Sequence, residues 1–437
     1  MTAPSVPATR LLRLAGSAFV VLAAEPLYVL VDTAVVGHLG DVALGGVAVA
    51  GSLLALVAMI GGFVEYGTTA RAARWYGAGR TDAAVAEGTQ ATWLAVFLGL
   101  GGVALGQALA GPLTRALAGG ATPTQAAAET WLRIAVCGLP CVLVVVAGNG
   151  WLRGVQDTRT PIRIVLLANA VSAVLCPLFV YPLGWGLAGS AIANVVAQTL
   201  GAVLFVRALR RATDRRRPVW ATMREQLVVG RDLLLRSAGF QAAFLTSAGV
   251  AARMGTAQVA AHQIALQLWT FLALVLDAFA IAAQALVGAA LGGADADDAR
   301  RTAWRVARLG LVVGVVAAGL LALGHDVVPA LFTSSTAVRQ QAGVLWPWFV
   351  AMMPVAGVVF ALDGVLIGAG DVVFMRNLTL VAAVLVFVPV DLLALRQGWG
   401  IGGVWAGLTA FVVVRLVGTV WRCAGSRWLV LGETRAG

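Results

Sequence analysis

The chain has 437 residues, 60% hydrophobic and only 12% charged, with a formal net charge of +11. A soluble domain carries about 25% charged residues, so this chain lacks the polar surface to cover a water-facing globule, and a large soluble protein is excluded. Every basic residue is arginine, and the arginines are placed in a pattern that speaks for orientation in a membrane rather than for nucleic-acid binding.

In chain order, apolar stretches fall at about 12–36, 43–66, 90–112, 131–152, 162–181 and 186–208, then at about 233–253, 258–290, 303–324, 344–368, 377–395 and 400–422. A membrane-spanning helix takes about 20 apolar residues, so twelve spans with short connections fill the chain. Arg10 and Arg13 followed by LAGSAFVVLAA resemble a secretory leader. The apolar run continues past Glu25 and Pro26 to about Val36, which makes it a retained first span.

A carboxylate inside a span is costly and marks function by default. In the first span Glu25, Tyr28 and Asp32 are spaced i, i+3, i+7 and share a helical face, and Pro26 predicts a kink beside them. A helix that bends as Asp32 takes up and releases a proton fits this arrangement, so Asp32 and Glu25 are the candidate coupling residues. Glu65, in the second span, is followed by Arg71 and Arg74 and is expected to form an ion pair along its own helix. Asn149 in the fourth span, Asn169, Ser172 and Cys176 along one face of the fifth, and Asn194 in the sixth are candidates to form a polar pocket with Asp32. Asp277 in the eighth span and Asp363 in the tenth are further candidates for a pocket or a lobe interior. Asp391, near the end of the eleventh, carries less weight.

The longest polar segment, residues 207–226, separates the sixth and seventh spans. It divides the chain into an N-terminal six-helix lobe (1–208), a linker (209–230) whose basic run suits anionic headgroups, and a C-terminal lobe (231–437). An internal repeat supports this division. GWGLAGSAIAN from Gly184 matches GWGIGGVWAGL from Gly398 at an offset of 214, which also carries Pro140 onto Pro354, Asn149 onto Asp363, Gly150 onto Gly364 and Asp157 onto Asp371. Gly40 maps to Gly255 at an offset of 215. Six spans per unit is an even number, so the copies share one topology, related by a pseudo-two-fold axis along the membrane normal with a cavity between the lobes. Counting sides alternately, one side collects Arg10, Arg13, Arg71, Arg74, Arg80, Arg153, Arg159, Arg163, the cluster Arg207–Arg236, Arg300, Arg301, Arg305, Arg308, Arg376, Arg422, Arg427 and Arg435. The other side holds only Arg115, Arg133, Arg253, Arg339 and Arg396. The expectation is therefore a multi-pass protein of the cytoplasmic membrane with both termini in the cytoplasm.

Cys137, Cys141, Cys176 and Cys423 lie in apolar stretches without metal-ligand neighbours, and His38, His262 and His325 are dispersed. Zinc-hydrolase, phosphate-loop and nucleophile-elbow motifs are missing, so neither a metal nor a cofactor is expected, and an enzyme is disfavoured. The chain has no room for a nucleotide-binding domain, which leaves an ion gradient or the substrate itself to supply the energy.

PLYVLVDTAVVGHLGDVALGGVAVAGS from Pro26, WLRGVQDTRTPIRIVLLANAV from Trp151 and LALVLDAFAIAAQALVGAALGGAD from Leu272 resemble the multidrug and toxic compound extrusion (MATE) family, especially its DinF-like branch, over essentially the whole chain. The resemblance implies an all-α membrane fold of twelve spans in two six-helix bundles. It also implies an antiporter that exports small organic cations or amphipathic drugs for protons or sodium, with membrane lipids as its other partners, no nucleic acid, and a monomeric state. The family's essential first-span aspartate matches Asp32 and its nearby tyrosine matches Tyr28. The family's fifth-span Asn and following Asp are replaced by Ser172 and Cys176, and the seventh-span Glu of the norfloxacin-exporter branch is missing. The first departure leaves Asp32 as the main carboxylate of its lobe and speaks against a two-carboxylate sodium or proton site; the second favours the DinF-like branch and protons over sodium. The alternatives are a lipid-linked oligosaccharide flippase of the same wider superfamily and a polytopic membrane enzyme.

Overall fold

The structure is a computed structural model that describes residues 8–213 and 217–433; Arg215, Arg216 and Arg435 of the arginine pattern lie outside them. The described residues form helices and no strand. In order these are α1 (Ala8–Gly37), α2 (Asp41–Gly77), α3 (Thr81–Leu117), α4 (Pro123–Ala135), α5 (Leu139–Gly154), α6 (Arg159–Val180), α7 (Gly186–Ala212) and α8 (Trp220–Met254). There follow α9 (Thr256–Gly292), α10 (Ala296–Leu323), α11 (Val327–Phe332), α12 (Thr336–Gly368), α13 (Val372–Val381), α14 (Val388–Arg396) and α15 (Gly400–Ala424). A 3-10 turn, Val136–Gly138, joins α4 to α5, and a π-helical turn, Ala382–Phe387, joins α13 to α14.

Among the described residues eleven rods are long and apolar enough to cross a membrane. The twelfth, α8, has 35 residues and takes the seventh place in order. Arg224, Glu225, Arg231, Asp232 and Arg236 make its first half more polar than the others. Residues pointing away from the packed helices, such as Leu105, Val174, Leu245, Leu320 and Leu385, are exposed and apolar, as a lipid-facing surface requires. The protein is a multi-pass membrane protein.

The chain forms two compact units: Val20–Gly230, and Arg231–Gly437 together with the chain up to Phe19. The connection between α7 and α8 is shorter than the sequence suggests. Residues 220–230, expected in a linker, are helical and are tied into the first unit: Gln226 Nε2 donates to Glu87 Oε2 at 3.0 Å, and Arg71 reaches Glu225 at 2.8 Å. Its charges read as a loop, but Glu225 is paired across to α2 and the stretch is helical.

The repeat read in the sequence recurs in the backbone. α2 and α9 have 37 residues each, and both are preceded by a glycine in the left-handed half of conformational space, Gly40 at φ 111° and Gly255 at φ 143°, a geometry that excludes most side chains. The close helix contacts repeat too. A Cβ on Gly150 of α5 would stand 2.6 Å from the Glu65 carbonyl oxygen of α2, and one on Gly364 of α12 would stand 2.1 Å from the Ala280 carbonyl oxygen of α9. Small residues here let the helix backbones touch, which is how membrane helices associate without a hydrophobic driving force.

Candidate functional site

The buried stripe of α1 in the first unit runs Val21, Ala24, Tyr28, Asp32, Val36. Steps of four residues advance 400°, so the stripe drifts around the helix. Two turns before Asp32 it passes through Ala24 instead of Glu25. The structure therefore leaves Glu25 and Pro26 exposed while Tyr28 and Asp32 are buried, and it does not bring Glu25 to Asp32. Helix α1 runs unbroken through Pro26.

Three other helices converge on Asp32. Its Oδ1 accepts from Ser190 Oγ of α7 at 2.7 Å and from Cys176 Sγ of α6 at 3.1 Å. Ser190 Oγ accepts in turn from Trp131 Nε1 of α4 at 3.2 Å. One turn earlier on α1, the Tyr28 hydroxyl accepts from Asn194 Nδ2 of α7 at 3.3 Å. Ser172 is buried one turn before Cys176 on the same face of α6, whereas Asn169 is half-buried and no hydrogen bond to it is seen among the described residues. The site thus gathers Asp32, Tyr28, Ser172, Cys176 and Asn194 as the sequence suggested, and adds Ser190 and Trp131. Ser190 had a signal: it lies one turn before Asn194, within the repeated GWG segment, at the only polar side chain of LAGSAIA.

The chemistry of this arrangement lies in what surrounds the carboxylate. Its partners are a hydroxyl and a thiol, and among the described residues no arginine forms an ion pair with it. Such an acid is balanced only by neutral donors, and buried charge without a counter-charge is expensive.

The other candidates lie elsewhere. Asn149 is buried in α5 with its side-chain oxygen unpartnered. Asp277 is half-buried on α9. Asp363, at the position in α12 equivalent to Asn149, is buried within the second unit, where Arg236 of α8 reaches it at 2.6 Å and Arg415 of α15 also pairs with it. Arg415 additionally lies over the rings of Phe240 and Phe411, which help to shelter its charge. Glu65 does not pair along its own helix: its partner is Arg153 of α5, and Arg71 turns to Glu87 of α3 at 2.7 Å. Residues six apart on a helix do not face one another, unlike those three or four apart. Among the described residues no group of three or more acidic, histidine or cysteine side chains is placed to hold a metal ion.

The MatE family model matches residues 17–178 and 233–393, one stretch in each repeat. The DNA damage-inducible protein F of Escherichia coli (strain K12) is 33% identical, over 91% of this chain and 88% of its own. Protein DETOXIFICATION 44, chloroplastic, of Arabidopsis thaliana is 30% identical, over 94% of this chain and 81% of its own. Among solved structures, a MATE transporter in its bent conformation superposes with a TM-score of 0.87 at 20% identity, covering 95% of each chain. A transporter of the MOP superfamily from Pyrococcus furiosus gives 0.85 at 21% identity, again over 95% of each chain. With the family model spanning both repeats and relatives of this identity covering nearly the full chain, the protein belongs to the multidrug and toxic compound extrusion (MATE) family of efflux transporters.

Proposed function

We propose that this protein is a proton-coupled antiporter that exports organic cations and amphipathic drugs across the cytoplasmic membrane, acting as a monomer with both termini in the cytoplasm. The observation that carries the reading is Asp32: a buried carboxylate held by Ser190 at 2.7 Å and Cys176 at 3.1 Å. Protonation removes its charge and loosens its hold on both donors, which sit on α7 and α6, so one proton acts on three helices together. Pro26, which offers no backbone donor to the carbonyl one turn before it, gives α1 a place to bend. Tyr28 and Asn194 line the next turn, where a cationic or amphipathic substrate meets a ring face and an amide. The thiol at position 176 gives the site no second carboxylate for a sodium ion, which prefers several oxygen ligands.

The test is efflux from everted vesicles with a pH gradient and a sodium gradient imposed separately. Wild type is expected to respond to the pH gradient and Asp32→Asn to lose on the order of tenfold or more of that transport. Undiminished pH-driven transport by Asp32→Asn sinks the reading, and a response to sodium alone replaces the proton with sodium.

A further inference from the structure

The second unit also holds a buried acid that no arginine pairs with. Asp391 of α14 is 0% exposed, and among the described residues neither of its carboxylate oxygens has a hydrogen-bond partner. No ion pair to it occurs among the described residues. It lies one turn beyond the π-helical turn Ala382–Phe387, against α15, where a Cβ on Gly407 would stand 3.0 Å from its Oδ1.

The repeat shows what this place corresponds to. At the offset of 214 that carries Gly154 onto Gly368 and Gly184 onto Gly398, Cys176 maps onto Val390 and Ala193 onto Gly407. In the first unit Cys176 packs against Ala193 while donating to Asp32. A π turn closes its hydrogen bonds at i+5 instead of i+4, so it takes up one extra residue and side chains beyond it lag by one position. Asp391 is thereby turned toward α15 beside Val390, the counterpart of Cys176, and both reach Gly407: a Cβ there would stand 3.0 Å from Asp391 Oδ1 and 3.1 Å from Val390 Cγ1. Its contact at Gly407 is the counterpart of the Cys176–Ala193 contact, with the loss of the methyl group making room for the carboxylate. Where the first unit has Asp32, the second has Ser247, whose Oγ stands 3.3 Å from His262 Nε2. Among the described residues each unit therefore buries one acid that no arginine pairs with, in corresponding segments of the repeat. In the first it is on the helix that opens the unit, in the second on the helix facing it.

Among the described residues the π turn, which carries no titratable side chain, and α15 pack against α14; α8 joins the same buried cluster through Ala243 and Val250, and of its charged groups Arg236 is paired with Asp363, Asp232 with Arg376, and Arg253 is exposed. On α15, Arg415, Arg422 and Cys423 lie more than two turns beyond Gly407, and the two arginines are paired with Asp363 and Asp371. Arg396 of α14 itself is exposed. His262, reached through Trp405, is engaged on both ring nitrogens, by Trp405 Nε1 at 3.1 Å and by Ser247. None of these supplies a counter-charge to Asp391.

We propose that Asp391 is a second proton-binding site, in the C-terminal unit, loaded and emptied as the transporter cycles. The proposal rests on the proton-coupled reading of Asp32 and extends it to the other repeat. The step is a simple one: a carboxylate oxygen takes one proton from water to give the neutral acid and later returns it to water, with no electron transfer and no co-reactant. The unpaired oxygens supply the acceptor, and the π turn supplies a segment whose hydrogen bonds can rearrange to admit water.

The experiment is infrared difference spectroscopy on the full-length purified transporter, stepped between mildly acidic and mildly alkaline pH, for wild type, Asp32→Asn and Asp391→Asn. The expected result is a pH-dependent carboxylic-acid carbonyl band in wild type that loses one carboxyl's worth of intensity in Asp391→Asn. If Asp391→Asn fails to fold, Asp391→Glu serves, with the band shifted in frequency. A wild-type band that Asp391→Asn leaves unchanged, or one that does not respond to pH, overturns the proposal. Loss of band intensity in Asp391→Asn but none in Asp32→Asn sinks the Asp32 reading instead, so the two failures are separate.

Discussion

Buried acids in this protein fall into two kinds, and the difference is made by single neighbours. Glu87, Asp232, Asp363 and Asp371 each face arginine: Arg71, Arg376, Arg236 with Arg415, and Arg422 in turn; the half-buried Glu65 likewise faces Arg153. Asp32 is held by a hydroxyl and a thiol, and Asp391 by nothing polar. A paired acid is fixed in its charge and acts as a structural clamp. An acid without a cation has no such clamp, which is the basis of the proton-binding roles proposed for Asp32 and Asp391. The clamp role is testable at Asp363. Its replacement by alanine strands Arg415, whose side chain is 2% exposed, and removing one partner of a buried pair costs about 3–5 kcal/mol. Thermal unfolding of the solubilised protein should show Asp363→Ala well below wild type, with Asp297→Ala at an exposed position of α10 close to it. Equal midpoints for the two variants contradict the clamp.

At the scale of helices, glycine decides how closely the rods approach. Gly364→Ala drives a methyl group to 2.1 Å from the Ala280 carbonyl, so α12 and α9 must separate, at a cost of about 1–3 kcal/mol or more. Gly319 of α10 has open space around it, and Gly319→Ala is expected to stabilise its helix by about 0.5–1 kcal/mol. Midpoints that move in opposite directions in a melting comparison support this packing; a shared sign does not. The rods themselves were legible because hydropathy is a sum over about twenty residues and tolerates local errors. The cluster around Asp32 was legible in part, since Tyr28, Cys176 and Asn194 follow from helical spacing within single spans. Glu25 went astray because spacing fixes an angle but not the drift of the covered stripe. Ser190 and Trp131 escaped because their relation to Asp32 is between helices, which one-dimensional periodicity does not contain. Asp391 was undervalued for a different reason: a π turn shifts the helical phase, and AAVLVF has nothing in its composition to announce one.

On the scale of the chain, the division into Val20–Gly230 and Arg231–Gly437 with the residues up to Phe19 assigns the opening turns of α1 to the unit that contains the C-terminal half. Leu11, Leu14 and Ala15 are buried in a cluster with Ala283, Leu286, Val287, Leu291 and Val306 of α9 and α10. Leu11 is 1% exposed, and truncating a buried leucine to alanine costs about 2–5 kcal/mol. Leu11→Ala should therefore raise amide hydrogen exchange in α9 and α10 and leave α3 to α7 near wild type. Increased exchange confined to α3–α7 argues against this assignment of the N-terminal turns.

The same cluster has a consequence for how the protein is made. A ribosome delivers α1 first and the partners of Leu11 and Leu14 only after roughly two-thirds of the chain has been synthesised. Until then, these turns of α1 have lipid or the insertion machinery as their neighbours. The N-terminal half can assemble during translation, but the early turns of α1 can be seated only once α9 and α10 of the second repeat have emerged.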